Sequence, residues 1–488
     1  MTTTALLHRE TFLQRIAQRR EPWDIAIVGG GATGVGIALD AASRGYSVVL
    51  LEQHDFGKGT SSRSTKLVHG GVRYLQQGNI SLVMEALKER GLLLQNAPHL
   101  VRDQEFIVPN YKWWEAPFYG IGMKVYDLLA GKYGFGPSKI LSREEVLARI
   151  PTLSQDGLRG GVSYHDGQFD DARLLIDLAS TAAVHGASLL NYCRVTSLAK
   201  DSSGFVSGLT FCDEETGISH SLAARCVINA TGPFCDALRQ ADDPAARPMI
   251  APSQGVHLTL PRDFLPGETA IMVPHTRDGR VMFAIPWHGH AVVGTTDTPI
   301  PTATLEPRAQ SEEIDFILET AGDYLAKRPG RADVLSVFTG IRPLVKAGEA
   351  SNTAALSRDH TIEISSSGLL TIAGGKWTTY RHMAEDAVDH AIVLGRLEER
   401  PCITRSLRIH DPGAHDDSAA WFGRHEMART VEDVLARRTR LLFLDARAAV
   451  DLAPQVAREL ALELGRDETW QQAQLTSFNE TASHYHAS

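Results

Sequence analysis

Asp24-Ile-Ala-Ile-Val28 running into Gly29-Gly-Gly-Ala-Thr-Gly34 is the stretch on which the fold turns. The first five residues form a short, largely β-branched apolar run, the composition of a strand buried on both faces. The next six place glycine first, third and sixth, the spacing with which a strand turns into a helix beside a pyrophosphate. Gly29 permits the tight turn, Gly31 lets the backbone approach the phosphates, and Gly34 allows the helix to pack against its strand. The helix opening at Ala32 and Thr33 directs its N–H groups and dipole at negative charge. It continues through Arg44 to Gly45, and a second strand, Ser47-Val-Val-Leu-Leu51, ends in Glu52. A carboxylate there accepts hydrogen bonds from an adenosine ribose, a role that a merely structural glycine turn would leave unexplained.

This unit identifies a dinucleotide but does not choose between FAD and NAD, since both have an ADP half. Two later strands bear on the choice. Cys226-Val-Ile-Asn-Ala-Thr-Gly232 and Leu369-Leu-Thr-Ile-Ala-Gly-Gly375 run into small-residue turns at Thr231, Gly232, Gly374 and Gly375. Strands so far apart imply one discontinuous domain, whereas an NAD domain is more often continuous. The helix-like segment after Thr378 could stabilise negative charge developing on a flavin.

With 488 residues the chain exceeds what one hydrophobic core serves, so two or three lobes are expected. Apolar residues make up 43% and charged residues 22%, and no stretch is apolar over the roughly 18 residues that a membrane span requires. The formal net charge of -9 argues against nucleic acid as a partner. Cys193, Cys212, Cys226, Cys235 and Cys402 show no C-x-x-C pairing, which suits a reducing compartment and neither a disulfide framework nor a zinc site. Residues 1–23 combine Arg9, Arg15, Arg19 and Arg20 with Leu6, Leu7, Phe12, Leu13 and Ile16, an amphipathic helix; Glu10 disfavours a transit peptide.

From Ala251 to Asp297 the pattern changes to strand and turn. Val256, Leu258 and Leu260 alternate with His257 and Thr259, and Ile271-Met-Val273 and Val281-Met-Phe-Ala-Ile285 flank Asp278-Gly279. His257 therefore sits on the face opposite the apolar residues, toward a cavity over the cofactor. His288-x-His290 spans a hairpin glycine without a third ligand, so no metal site is expected. Trp113, Trp114, Phe118, Tyr119 and Tyr126, interspersed with Lys112, Lys124 and Lys132, suit either an anionic-lipid interface or buried packing.

Thr60-Ser-Ser-Arg-Ser-Thr-Lys-Leu-Val-His-Gly-Gly-Val-Arg-Tyr-Leu75 closely resembles the FAD-dependent, quinone-linked glycerol-3-phosphate dehydrogenase family. The resemblance continues through Asp170-Asp-Ala-Arg173, Ala230-Thr-Gly-Pro233, Gly294-Thr-Thr-Asp297, Gly340-Ile-Arg-Pro343, Ser357-Arg-Asp359 and Gly374-Gly-Lys-Trp-Thr-Thr-Tyr-Arg381. Thr430-Val-Glu-Asp-Val-Leu-Ala-Arg-Arg-Thr-Arg440 is similar to the family's C-terminal helical cap, while residues 396–429 form a shorter bridge than that likeness leads one to expect. It implies an α/β protein with a glutathione-reductase-like FAD-binding Rossmann domain, discontinuous over 24–100, 155–245 and 346–395. A mixed and antiparallel β substrate domain is expected over 101–154 and 246–345, and a linker with a short helical cap over 396–488.

The activity implied is oxidation of sn-glycerol 3-phosphate to dihydroxyacetone phosphate with non-covalent FAD. A quinone would take the electrons, at the inner face of a cytoplasmic membrane reached by peripheral contact, and the protein would be cytoplasmic, with a homodimer as a further expectation. An oxidase delivering electrons to oxygen shares these motifs; a non-catalytic flavin module would not need so complete a set. The resemblance adds Thr60, Ser61, Ser62, Ser64, Lys66, Leu67, Val195, Lys376, Trp377 and Thr378 to the cofactor contacts. Oxidising an alcohol requires a base near its hydroxyl, and His257 is the candidate. Arg73, Arg342, Arg358 and Lys376 occupy motif positions where cations would hold a phosphate, with Arg342 also beside the developing oxyanion and Tyr74 orienting the substrate. Four cations suit a phosphate better than the zwitterion of an amino-acid oxidase. His69 is read as packing or a flavin neighbour. Arg437, Arg438 and Arg440 are expected to complement a helix dipole, with lipid contact the alternative.

Overall fold

The structure, a computed structural model, describes residues 7–71, 75, 79–274, 276, 277, 279–346, 359–414 and 416–487. Two sheets organise them. In the first, Trp23–Val28 lies between Val48–Leu51 and Ser219–Asn229, parallel to both. Ser188–Leu190 and Leu370–Gly374 extend it in parallel at either side, and His360–Ile364 closes one edge antiparallel. The helices Ala32–Ser43, Asp171–Val184 and Tyr380–Leu394 share its core. Val48–Leu51 is buried at every position, which is why its sequence is apolar throughout and does not alternate.

The second sheet has ten strands, antiparallel except where Ala270–Val273 runs parallel to Val101–Asn110. Its spine is the pairing of Ile250–Pro261 with Ser336–Val345, which sets Ser253 opposite Arg342 and His257 opposite Phe338. Val256, Leu258 and Leu260 enter an apolar layer with Ile314 and Ile317 of the helix Ser311–Tyr324. His257 and Thr259 belong to the other face: His257 stacks on Phe338, and Thr259 Oγ1 donates to the carbonyl of Phe443 at 2.7 Å. The alternation expected of this strand thus separates two buried faces.

Two segments expected in the nucleotide-binding domain pair into this second sheet. Gly160–Phe169 lies antiparallel to Val101–Asn110, and Leu67–Val68 pairs with Gly167 and Gln168. Within the expected nucleotide-binding segments 24–100 and 155–245, these two strands thus belong to the second sheet. Gly160–Phe169 carries three glycines and a buried Asp166, so it lacks the apolar pattern that marks a strand, and its neighbours create the pairing. At the start of the described chain, the helix Arg9–Gln18 buries Phe12 and Ile16 and pairs Arg9 with Asp213 at 2.8 Å.

The C-terminal region folds as Ala419–Glu426, a π-helical turn Asp433–Arg438, Leu441–Leu444, Ala446–Leu464 and Glu468–Ser483. Thr430 and Asp433 cap each other: Asp433 N–H donates to Thr430 Oγ1 at 3.2 Å, and Asp433 Oδ2 accepts the Thr430 N–H at 3.0 Å. Arg437 and Arg438 are buried, which removes the lipid contact considered for them. Both reach Asp55 in the first domain: Arg437 Nε donates to Oδ2 at 2.6 Å and Arg438 Nη2 to Oδ1 at 3.0 Å. Burial alone would push the Asp55 carboxyl up, but the guanidiniums of Arg438 and Arg437 hold it below the usual carboxylate range. Arg440 Nε lies 3.0 Å from Asp170.

Removing one member of a buried ion network strands the others in a low dielectric, at a cost of about 3–5 kcal/mol. Asp55→Ala is therefore expected to lower the thermal midpoint clearly. Calorimetry checks this, and a midpoint equal to that of the unaltered protein would show that Arg437 and Arg438 do not depend on Asp55.

Candidate active site

At the carboxyl ends of the parallel strands lies a cavity of about 390 Å³. Gly29, Gly31, Ala32, Thr33, Glu52, Thr60, Ser61, Val195, Thr231, Gly232, Gly374, Gly375, Lys376 and Trp377 all line it. Gly31, Ala32 and Thr33 all line the cavity, so the start of the helix Ala32–Ser43 faces it as an anion site needs. Gly29 has φ +109°, and a Cβ there would meet the carbonyl oxygen of Ala230 at 2.6 Å. A Cβ on Gly34 would sit 1.9 Å from the oxygen of Gly29, so the close helix–strand contact tolerates no side chain. Glu52 Oε2 accepts the Gly30 N–H at 2.6 Å and Oε1 that of His54 at 2.8 Å, holding the carboxylate at the end of its strand. The donor set and the small residues fit a dinucleotide.

The remaining expected cofactor residues stand behind this lining. Ser62 Oγ donates to the Gly57 carbonyl at 2.8 Å, and Ser64 Oγ donates to Asp171 at 2.7 Å. Lys66 is fully buried with Nζ 2.9 Å from Asp171 Oδ1, and Thr378 Oγ1 accepts the His69 N–H at 3.2 Å. Trp377 Nε1 donates to the Ser61 carbonyl at 2.8 Å, joining the Gly374–Gly375 turn to the 60–66 segment.

A second cavity, of about 170 Å³, is lined by Thr65, Leu67, His69, Gly71, Phe106, Tyr164, Asp166, Met272, Arg280, Val281, Phe283, Thr295, Thr296, Asp297 and Arg342. Arg342 lines it while its neighbour Pro343 lines the larger cavity, so the two cavities adjoin at the strand Ser336–Val345. Arg342 Nη2 donates to the Thr296 carbonyl at 3.0 Å and to Thr295 Oγ1 at 3.2 Å, and Nη1 lies 3.2 Å from Asp297 Oδ1. These bonds fix a guanidinium that remains part-exposed to the cavity. Asp166 is neutralised on its far side by Arg90 at 2.8 Å and accepts the Tyr126 hydroxyl at 2.7 Å.

His257 is not in this lining. It is 2% exposed, its ring stacks on Phe338 with centroids 4.9 Å apart, and Nε2 lies 2.9 Å from Thr65 Oγ1. Burial, and then the charges of Arg342 and Lys66, push the imidazole well below its ordinary pKa. His257 is thus neutral and one hydroxyl removed from the cavity it was expected to enter. Lys376, expected at both ligands, lines the larger cavity; Leu67, expected at the cofactor, lines the smaller. Arg73, Tyr74 and Arg358 lie outside the described residues. His69 lines the smaller cavity rather than merely packing, beside Phe283. Asp166, Tyr164 and Arg280 were missed: Asp166 and Tyr164 sit in the glycine-rich strand that carries no apolar signal, and Arg280 follows a turn. The Gly294-Thr-Thr-Asp297 motif did mark Thr295 and Asp297.

Residues 24–381 match the family described as FAD dependent oxidoreductase, and residues 401–471 match the C-terminal domain of alpha-glycerophosphate oxidase. A probable mitochondrial glycerol-3-phosphate dehydrogenase of Caenorhabditis elegans is 40% identical, covering 97% of this chain and 74% of that protein. The human mitochondrial glycerol-3-phosphate dehydrogenase is 39% identical over 94% of this chain and 73% of its own length. Among solved structures, a glycerol-3-phosphate dehydrogenase from Bacillus halodurans complexed with FAD aligns with a TM-score of 0.80 at 28% identity, covering 99% of this chain and 98% of that one.

With FAD the group that these residues fit, a branched side chain at Gly31 would occupy the space of the pyrophosphate. Gly31→Val is expected to give folded protein without flavin. Absorbance of the purified protein near the flavin bands measures this; a fully yellow variant would exclude the turn from the site.

Proposed function

The chain belongs to the FAD-dependent glycerol-3-phosphate dehydrogenase family, and from that membership we propose that it oxidises C2 of sn-glycerol 3-phosphate and passes the electrons to a quinone. Bound in the larger cavity, FAD supplies a hydride acceptor. The observation that carries the substrate reading is Arg342, a fixed and part-exposed guanidinium in a small cavity that adjoins the cofactor cavity along its own strand. Arg342 is positioned to hold an anionic substrate and to stabilise negative charge as the C2 oxygen loses its proton. Arg73 and Arg358 keep their expected role at the phosphate, Tyr74 that of orienting the substrate, and His257 that of proton acceptor. Apolar Phe106, Met272, Val281 and Phe283 exclude water around the reacting carbon.

Peripheral membrane contact is supported by the helix Glu115–Ala130. Tyr119, Met123, Tyr126 and Ala130 are buried on one side, while Phe118, Ile121, Val125 and Leu128 are exposed on the other, Leu128 by 80%. Trp113, 78% exposed, precedes it, and Lys112, Lys124, Lys132 and Lys139 are exposed around it. An apolar stripe flanked by lysines suits insertion at an anionic lipid surface, where a quinone would be met. Among the described residues no helix is long and apolar enough to cross a membrane.

Anaerobic reduction by glycerol 3-phosphate followed by a quinone analogue or oxygen tests the reaction and its acceptor. Reoxidation by quinone and only slowly by oxygen is expected; the reverse order makes the protein an oxidase. His257→Ala is expected to slow flavin bleaching by about two to four orders of magnitude, with substrate affinity little changed. Arg358→Ala is expected to raise the substrate requirement and spare the rate, and Arg342→Ala to harm both. A depressed pKa keeps His257 in its proton-accepting form as the pH falls, so the bleaching rate should decline only below the ordinary histidine value of about 6.5. A half-maximal rate at or above that pH would remove His257 as the base.

The lipid reading predicts that vesicles containing anionic lipid float with the holoprotein, and that Ile121→Ser with Leu128→Ser abolishes flotation without loss of flavin. Flotation unaffected by both substitutions would move the contact elsewhere.

A further inference from the structure

Among the described residues, Thr65 lines the smaller cavity and is hydrogen-bonded to His257 behind it. We propose that the Thr65 hydroxyl is a catalytic relay, taking the substrate's C2 hydroxyl proton as it passes its own to His257. The inference rests on the reading of the smaller cavity as the glycerol 3-phosphate site. Its basis is geometric: Thr65 lines that cavity with Arg342 and Thr295, His257 does not, and Thr65 Oγ1 stands 2.9 Å from His257 Nε2.

Both neighbours of Thr65 are anchored to one buried carboxylate. Ser64 donates to Asp171 through its backbone N–H at 3.1 Å and its hydroxyl at 2.7 Å, and Lys66 Nζ reaches Asp171 Oδ1 at 2.9 Å. Lys66 is held at φ +62°, a conformation that a non-glycine residue keeps only when its surroundings impose it. His257 is pinned from the other side by Phe338. The hydroxyl and the imidazole thus meet in a fixed arrangement that spends little reorganisation during reaction.

A threonine hydroxyl carries one proton and two acceptor lone pairs, so it can donate to one partner while accepting from another. In the tautomer with hydrogen on Nδ1, His257 Nε2 accepts the Thr65 O–H, and the Thr65 oxygen faces the substrate. With FAD bound as the acceptor of the C2 hydride, the C2 O–H bond would break toward Thr65 Oγ1. The Thr65 O–H bond breaks toward His257 Nε2, leaving a ketone, a restored threonine hydroxyl and an imidazolium. Arg342 supports the developing charge on the substrate oxygen throughout.

The test is anaerobic stopped-flow bleaching of the holoprotein by glycerol 3-phosphate across pH, for Thr65→Val, Thr65→Ser and Thr65→Val combined with His257→Ala. Thr65→Val, isosteric but without the hydroxyl, is expected to bleach about 100- to 10,000-fold more slowly at unchanged flavin content and substrate affinity. Thr65→Ser should recover most of the rate and the acid limb of the pH profile. Adding His257→Ala to Thr65→Val should cost little more, because both act on one proton path. A near-normal rate in Thr65→Val, or losses that multiply in the double variant, overturns the relay. A wild-type protein that glycerol 3-phosphate fails to bleach overturns the substrate reading and the relay with it. If Thr65→Val does not retain flavin, Thr65→Ala is read in the same assay with the same outcomes.

Discussion

Two adjacent buried carboxylates, Asp170 and Asp171, have to be neutralised, and the groups that neutralise them come from every part of the chain. Asp171 receives Ser64 and Lys66 from the segment beside the cofactor cavity. Asp170 meets His288 Nε2 at 3.0 Å from a hairpin of the second sheet and Arg440 Nε at 3.0 Å from the cap. Its backbone and side chain also open the helix Asp171–Val184, where Oδ1 accepts the Arg173 N–H at 3.1 Å. Buried charges of this kind add less to stability than their number suggests, because desolvation opposes the attraction. What they impose is mutual placement: a displaced sheet or cap would leave an uncompensated ion in the interior.

The same logic joins the cap to the cofactor cavity. Asp55 lies three residues beyond Glu52 and just before Gly57, Lys58 and Gly59, which line that cavity. Its partners Arg437 and Arg438 come from a π-helical turn whose added residue per turn brings consecutive arginines onto one carboxylate. Lys58 reaches Glu432, immediately before that turn, at 2.5 Å. The C-terminal helices therefore act on the cofactor site through charge, without lining it.

The two cavities divide their chemistry by electrostatics. A helix start and glycines prepare the larger one for phosphates, whereas the smaller one combines a fixed guanidinium with apolar walls. Burial first, and then the charges of Arg342 and Lys66, disfavour a charged imidazole before an anionic substrate arrives. In the proposed reaction, cation binding of the phosphate and proton acceptance by a neutral histidine would be compatible demands of one site.

The glycine motif, the strands around it and Glu52 were legible in the sequence because each follows from a local constraint: a backbone that must turn, approach a phosphate or admit a helix. The alternation of Val256, Leu258 and Leu260 with His257 was equally local. Where the chain's polar groups would meet was not. Thr65 and His257 are 192 residues apart, and nothing near either one announces the other. The strand Gly160–Phe169 has no apolar period, so its place in the second sheet came from its partners. Trp113, Phe118 and Tyr126 read the same whether packed or exposed, as Arg437 and Arg438 did whether facing lipid or buried. The sequence by itself determined the nucleotide-binding unit, the change from parallel to antiparallel architecture and the residue types available for catalysis. Tertiary structure alone decided which of those residues face a cavity, because burial and ion pairing depend on what the rest of the chain brings alongside.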